Sequence, residues 1–196
     1  MYRTKEEYDR VDRLATDILL DYGICSFPLD MDDLCRRMNI NVVPYSAYEE
    51  GVDLLLKKSK QGFSAHRTEN DNPTIYFNDI YGDHLTAANI SSTKGHKLNH
   101  IVEGDTDDSE DDLADHFSRQ LRCPVSLVIY QKIYSINELI SRFGISCEQA
   151  IYVSKSALNR CSKYERTFLA YEIDYLRMYY NDPNLDLPLM TKVNEQ

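Results

Sequence analysis

The sequence predicts an α+β protein, with a small antiparallel sheet in its first half and a series of C-terminal helices. Three features of the 196-residue chain predict this class. The chain opens with apolar residues spaced three and four apart, which is the helical period. Short runs rich in aromatic and β-branched residues follow, separated by turn-forming residues, and such runs are typical of strands. Beyond residue 79 the helical period returns and continues to residue 180.

The first half of the chain should begin with two helices. One is predicted over residues 4–22, where Thr4 and Glu7 can form a capping box and Gly23 can end the helix. A second, shorter helix is predicted over residues 31–38. Strands are then predicted over residues 40–45, 62–67 and 74–77. Together these strands indicate an antiparallel sheet of three or four strands.

The second half of the chain should be almost entirely helical. Helical patterns extend over residues 85–102, 109–123, 136–143, 147–160 and 164–180. We predict that residues 1–182 form a single domain, because a chain of this length suits one core. The polar residues 183–196 are predicted to form a flexible tail.

The charge of the chain argues against a nucleic-acid-binding protein. The sequence has 32 acidic and 22 basic residues and a formal net charge of −10, whereas binding to a phosphate backbone needs a basic face. Eight of the acids lie between residues 102 and 115, and without them the net charge would be −2. The acidity is therefore a local feature of this segment.

Composition also predicts the compartment. The five cysteines form no CxxC pair and are odd in number, so neither a disulfide framework nor a zinc ribbon is expected. The N-terminus has no apolar signal-peptide core, and no segment reaches the roughly 18 apolar residues of a membrane span. We therefore predict a cytoplasmic protein with reduced thiols and no membrane partner.

Two histidines on one predicted helix are the first candidates for chemistry. His96 and His100 are four residues apart, so both imidazoles can reach one metal ion, although such a pair is more often incidental. On the next predicted helix, Asp111 and Asp115 lie one turn apart. One carboxylate there could complete a metal site and another could orient a histidine ligand. The alternative is a solvated acidic helix start, where carboxylates favour the helix dipole.

Several short motifs around these residues occur in a recognisable order. They are IYFND at 75–79, Thr93 before His96, DDLADHFS at 111–118 closed by Pro124, FPLDMDDL at 27–34 and FGISCEQA at 143–150. Their order and spacing resemble the ImmA/IrrE family of bacterial and phage zinc metallopeptidase-like proteins. That family has a strand ending in Asn or Asn-Asp, a Thr shortly before HExxH, and a helix of the form ExxA(N/D)xFAxxL(L)xP. The resemblance covers residues 5–175.

The resemblance implies a zincin-like helical core and a Zn²⁺ site. In the family, two motif histidines and a Glu from the following helix hold zinc, which implies His96, His100 and Asp111 as ligands here, with Asp115 as their second-shell partner. The Glu after the first histidine activates a zinc-bound water for attack on a peptide bond. Characterised relatives cleave helix-turn-helix repressors, so the resemblance implies a transcriptional repressor as substrate or partner, in a phage or mobile element.

The chain departs from the family at the catalytic position. Lys97 stands where the family has the water-activating Glu. A lysine side chain is protonated at neutral pH, cannot accept a proton from water, and is repelled by a dication. Asp111 is one methylene shorter than the family's Glu, with Glu103 and Glu110 as alternative carboxylates. We therefore expect impaired proteolysis and weak or absent zinc binding.

Two explanations of Lys97 stay open, and so does the question of whether the chain is an enzyme. One explanation is that the natural protein is a pseudo-peptidase that kept its fold for binding. The other is that the chain is a variant of an active enzyme. A lesser hypothesis is DNA binding through residues 136–158, which have the layout of a helix-turn-helix. Residues 137–164 carry a net charge of only +2, which is weak for gripping phosphates. An ordinary packed helical corner is the favoured interpretation.

Overall fold

The computed structural model describes residues 3–48, 50–65, 71–80, 82, 85–104 and 111–190, with Asp111 described in its backbone only. It confirms an α+β fold that is mostly helical. The elements are α1 (Lys5–Asp21), α2 (Met31–Arg37), β1 (Asn41–Pro44), α3 (Val52–Lys58), β2 (Gly62–Ala65), β3 (Thr74–Phe77), α4 (Ala87–Glu103), α5 (Asp111–Arg122), α6 (Val125–Gln131), α7 (Ile136–Phe143), α8 (Cys147–Tyr164) and α9 (Ala170–Tyr180). Within these ranges, no helix has both the length and the apolar content that crossing a membrane would require.

The three described strands form a mixed sheet rather than the antiparallel sheet that the sequence predicts. The strand order is β1-β3-β2. β2 and β3 are antiparallel, with Phe63 opposite Tyr76, whereas β1 and β3 are parallel, with Val42 opposite Ile75. The buried strand β3 takes the centre because its apolar side chains need cover on both sides. The β1–β3 pairing is parallel because the chain crosses over through residues 45–61 and β2 before β3 pairs with β1.

Helix α1 begins as the sequence predicts. The Oγ1 atom of Thr4 accepts a hydrogen bond from the backbone N–H of Glu7, and the Thr4 N–H donates to Oε2 of Glu7 at 2.6 Å. This reciprocal pair satisfies two of the amide groups that a helix start leaves without intrahelical partners. The apolar stripe of α1, which includes Val11, Ala15 and Leu19, is buried against α5 and α9.

Helices α4 and α5 pack closely, and a glycine permits the approach. A Cβ atom on Gly95 would lie 2.5 Å from the Oγ atom of Ser118 and 3.1 Å from its Cβ atom. Leu98 of α4 and Phe117 of α5 are fully buried in the same core. Because one turn of α5 separates Ser118 from Asp115, this contact also sets how near the two helices hold their polar side chains.

The C-terminal helices form a second apolar cluster, joined to the first by a buried arginine. Arg122 is 1% exposed, and its guanidinium donates to the Oε1 atom of Gln149 and to the carbonyls of Ala88 and Gly144. These bonds connect the end of α5 with the start of α4 and with the turn between α7 and α8. Burial lowers the pKa of Arg122 to about 10.

The structure adds helices that the sequence does not predict. Helix α6 buries residues on all its sides, so no amphipathic period marks it, and the short α3 has none of its residues buried. α8 continues to Tyr164, and α9 begins only at Ala170, because Glu165 adopts a positive φ of 54° between them.

The first part of the predicted tail packs back on the C-terminal helices. The N–H of Phe168 donates to the carbonyl of Pro188, and the N–H of Met190 donates to the carbonyl of Phe168. Leu185 and Leu187 contact the second apolar cluster. Residues 191–196 of that tail lie outside the described residues.

Replacing Gly95 with alanine should push α4 and α5 apart, because the added methyl group meets Ser118. We expect Gly95→Ala to lower the free energy of unfolding by about 1–3 kcal/mol, the usual cost of overpacking a core. Urea denaturation measures this loss. Adding Ser118→Gly removes the obstructing side chain, so the double variant should recover part of the stability; simple addition of the two losses would contradict the proposed contact.

Candidate functional site

The structure brings the two motif histidines together. His96 and His100 lie one turn apart on α4, and their Nε2 atoms are 3.1 Å apart. Zinc holds imidazole nitrogens at about 2.0–2.1 Å, so two such ligands of a tetrahedral ion stand about 3.3 Å apart. The observed separation is close to this value. The pair therefore has the geometry of two ligands that face one cation.

Asp115 lies behind the first histidine. Its Oδ1 atom is 2.7 Å from Nδ1 of His96, and this contact joins α5 to α4. A carboxylate in this place keeps the proton on Nδ1, which leaves the lone pair on Nε2, the atom that faces His100. Asp115 thus contacts the ring nitrogen of His96 that points away from His100.

Competing effects act on the carboxyl of Asp115. Burial raises its pKa, but the hydrogen bond from His96 and nearby positive charges, including that of Lys97, outweigh burial. The pKa of Asp115 therefore lies below its ordinary value. An ionised carboxylate can accept a hydrogen bond from the Nδ1–H group of His96.

Lys97 shares one cleft with His96 and an adjoining one with His100. The cleft has a volume of about 380 Å³ and is lined by His96, Lys97 and Asp115 on its helical side and by residues 59–62 on the other. The two walls can approach closely because Gly62 has no side chain. A Cβ atom on Gly62 would lie 3.0 Å from Cγ2 of Thr93. The cleft thus holds the side chain of Lys97 directly after His96.

Asp111, the third predicted ligand, is the first residue of helix α5 and lies one turn before Asp115. Its side chain lies outside the described residues, as does Glu110. Glu103, the other alternative carboxylate, forms an ion pair with Arg10 instead. Within the part of the chain that is described, no group of three His, Cys, Asp or Glu side chains could hold a metal ion. The described residues therefore bring together two imidazole nitrogens without a third candidate ligand.

The remaining histidines divide between packing and the undescribed segments. His116 is buried, with Nε2 2.6 Å from Asp12 and its ring edge-on to Tyr8. It therefore holds α5 against α1, away from the histidine pair. His66 and His84 lie outside the described residues.

Sequence reasoning missed a second lysine that positions the helix of the site. Lys94 is 6% exposed, and its ammonium lies 2.5 Å from Asp32 and 4.1 Å from the ring centroid of Phe77. These contacts fasten α4 to α2 and to the end of β3. The available signal was its spacing from Leu98, since residues four apart share a helix face.

A hydrogen-bonded asparagine holds the opposite wall. The side-chain amide of Asn78, directly after β3, donates to the carbonyl of Lys60, and its Oδ1 atom accepts from the N–H of Ile80. The segment that enters β2 is thereby held beside α4. This gives Asn78, one of the motif residues, a structural role at the cleft.

No protein-family profile, curated protein sequence or solved structure matches the chain. The resemblance to the ImmA/IrrE family therefore rests on the sequence motifs alone. The site that the structure shows is a pair of histidines one turn apart on α4, with a carboxylate from α5 hydrogen-bonded to the first of them.

Asp115→Asn should weaken zinc binding by about tenfold to a hundredfold, because the amide orients the imidazole of His96 less well than the carboxylate does. Competition with a chromophoric zinc chelator measures the affinity. The control is Asp112→Asn, which removes an exposed carboxylate from the same helix and should leave the affinity nearly unchanged. Equal losses in both variants would show that only the overall negative charge matters.

Proposed function

We propose that the chain is a metallopeptidase-like protein of the ImmA/IrrE type that binds zinc weakly and whose proteolysis is impaired. One observation carries this proposal: the Nε2 atoms of His96 and His100 converge to 3.1 Å, and Asp115 is hydrogen-bonded behind His96. The two nitrogens fit a zinc ion, and Asp111 is the proposed third ligand. A zinc ion held here would supply an activated water and a Lewis acid for a peptide carbonyl.

The residues of the cleft support an impaired rather than an efficient peptidase. The ammonium of Lys97 has no lone pair to accept the proton that the attacking water must lose. The carboxylate of Asp115 is engaged with His96 and orients that ring. General-base catalysis contributes about 10²–10⁴-fold to rate, so the loss of the base alone would reduce hydrolysis by such a factor.

The proposed partner is a protein, and a transcriptional repressor is the class that the resemblance implies. The chain either cleaves such a partner slowly or, as a catalytically inactive regulatory protein, only docks to it. The second possibility has the same support, because Lys97 would disable hydrolysis without altering the fold. A cytoplasmic setting and a phage or mobile-element origin belong to the same proposal.

DNA binding through α7 and α8 is not favoured. The outer face of α8 exposes Ile151 and Leu158. The guanidinium carbon of Arg119 lies 4.5 Å from the ring centroid of Tyr152 on the same helix. A face that grips phosphates needs several cations pointing outward. The exposed cations of the two helices, Arg142, Lys155 and Lys163, are thus interspersed with apolar side chains and with Glu148, so a packed corner remains the favoured interpretation.

Removing either histidine should abolish zinc binding. We expect the purified chain, loaded with zinc at neutral pH and dialysed, to retain metal measurable by elemental mass spectrometry, and His96→Gln or His100→Gln to lose it. His116→Gln is the control, because that histidine is bonded to Asp12 and should not affect the metal. If the parent and both site variants retain equal zinc, the proposed ligands are wrong.

Lys97→Glu should create zinc-dependent peptide hydrolysis above the level of the parent, since it restores a base. Lys97→Gln is the matched control: it removes the positive charge without supplying a base. A unit charge about 6 Å from a dication costs about 1.4 kcal/mol in water, so Lys97→Gln should bind zinc about tenfold more tightly than the parent and Lys97→Glu, which changes the charge by two units, about a hundredfold. Hydrolysis by Lys97→Gln equal to that by Lys97→Glu would argue against a general-base role at this position.

A further inference from the structure

A groove longer than the metal site runs along α4 on the side of β2. It consists of three adjoining cavities of about 230, 380 and 330 Å³. The first two share Lys60 and Thr93 among their lining residues, and the last two share Gly62 and Lys97. The groove follows α4 from Asn89 to His100, a length of about 17 Å at 1.5 Å per residue. An extended peptide of about five residues has this length.

The groove has an excess of positive charge although the chain is acidic. In the two cavities beside the histidines, Lys58, Lys60 and Lys97 face a single described carboxylate, that of Asp115. The cavity at the Asn89 end adds one carboxylate, that of Glu148, so the excess is concentrated beside the histidines. Asp115 already accepts a hydrogen bond from His96, so its charge is partly engaged. The ammonium of Lys58 lies 4.0 Å from the ring centroid of Phe63, which holds it over the strand. A positive groove in a chain of net charge −10 is selective for anionic ligands.

The strand that borders the groove can accept an extended ligand. β2 is at the edge of the sheet, and no other strand among the described residues pairs with its outer side. On that side Ser59 bonds both backbone groups of Gly62. Strand alternation places the backbone groups of Ser64 on the same outer side, and Ser64 lines the third cavity. Because Gly62 is already bonded to Ser59, Ser64 is the described residue of β2 that would bond the backbone of an extended peptide, a contact that does not depend on the peptide's sequence.

We propose that this groove binds an acidic, extended segment of the partner protein, whose carboxylates contact Lys58, Lys60 and Lys97. The inference rests on the proposed function in one respect, namely that the chain acts on or docks to a protein. It adds the chemical class of the recognised segment. In this arrangement the ammonium of Lys97 pairs with a ligand carboxylate next to the histidines, whereas a glutamate at this position would repel that carboxylate.

A peptide fits the groove better than a nucleic acid does. Among the described residues three lysines and no arginine line it, and a nucleic-acid strand held by so few cations would bind weakly at physiological salt. The edge of β2 offers hydrogen bonds to another backbone rather than to phosphates. The observations therefore favour an acidic peptide.

The test uses the full chain and three fluorescent decapeptides that alternate threonine with glutamate, glutamine or lysine. By fluorescence anisotropy at low salt we expect the glutamate peptide to bind about tenfold more tightly than the glutamine peptide, and the lysine peptide most weakly. Lys60→Glu and Lys58→Glu should each weaken binding of the glutamate peptide about five- to tenfold, because each turns an attraction into a repulsion. These lysines are exposed, so the variants should fold, and their melting temperatures check this.

The matched control is Lys163→Glu, which makes the same charge change at an exposed position near the end of α8, about 22 Å along the helix from the nearest groove residue of α8, Glu148. It should leave peptide affinity nearly unchanged, and an effect as large as that of Lys60→Glu would overturn the proposed location. Equal binding of all three peptides would overturn the acidic preference. Displacement of the glutamate peptide by a ten-nucleotide oligothymidine at lower concentration than by unlabelled peptide would show a phosphate site instead.

The two proposals fail separately. Zinc bound through His96 and His100 together with equal binding of the three peptides overturns the acidic-segment inference alone. The opposite outcome is that the parent binds the glutamate peptide selectively while neither the parent nor the Lys97→Gln variant holds zinc. That outcome supports this inference and overturns the metal site.

Discussion

The close approach of α4 and α5 at Gly95 is the contact on which the site depends. With no side chain on Gly95, the helices can meet at Ser118, and His96 then lies 2.7 Å from Asp115. Further along α5, Arg122 binds the carbonyl of Ala88 at the start of α4, so the pair of helices is held at both ends of the contact. The arrangement is rigid because buried atoms on each helix fill the space that the other leaves.

Helix α4 presents lysines of opposite function on two of its sides. Lys94 is buried, paired with Asp32 and stacked on Phe77, so its charge is compensated inside the fold. Lys97 is only half-buried and lines the cleft with His96. A buried lysine needs a counter-ion within the fold, whereas water solvates a lysine in an open cleft, which therefore needs none. The same residue type therefore serves packing at Lys94 and lines an open cleft at Lys97.

Several elements were predictable because their signals are local. The capping box of Thr4, the strand Thr74–Phe77 and the helix Ile136–Phe143 occur as predicted, since caps and side-chain periods depend on residues a few positions apart. The polarity of the β1–β3 pair, helix α6 and the docking of residues 185–190 were not predictable. Each depends on which distant surface buries the segment.

The sequence by itself determined the α+β order and the helical spacing that places His96 and His100 on one face, because both follow from the geometry of single elements. Only the tertiary structure decided that Asp115 meets His96, that Glu103 turns away to Arg10, and that lysines from α3, the following loop and α4 line one groove. Residues far apart in the chain meet only when the core is packed, and no local pattern records that packing.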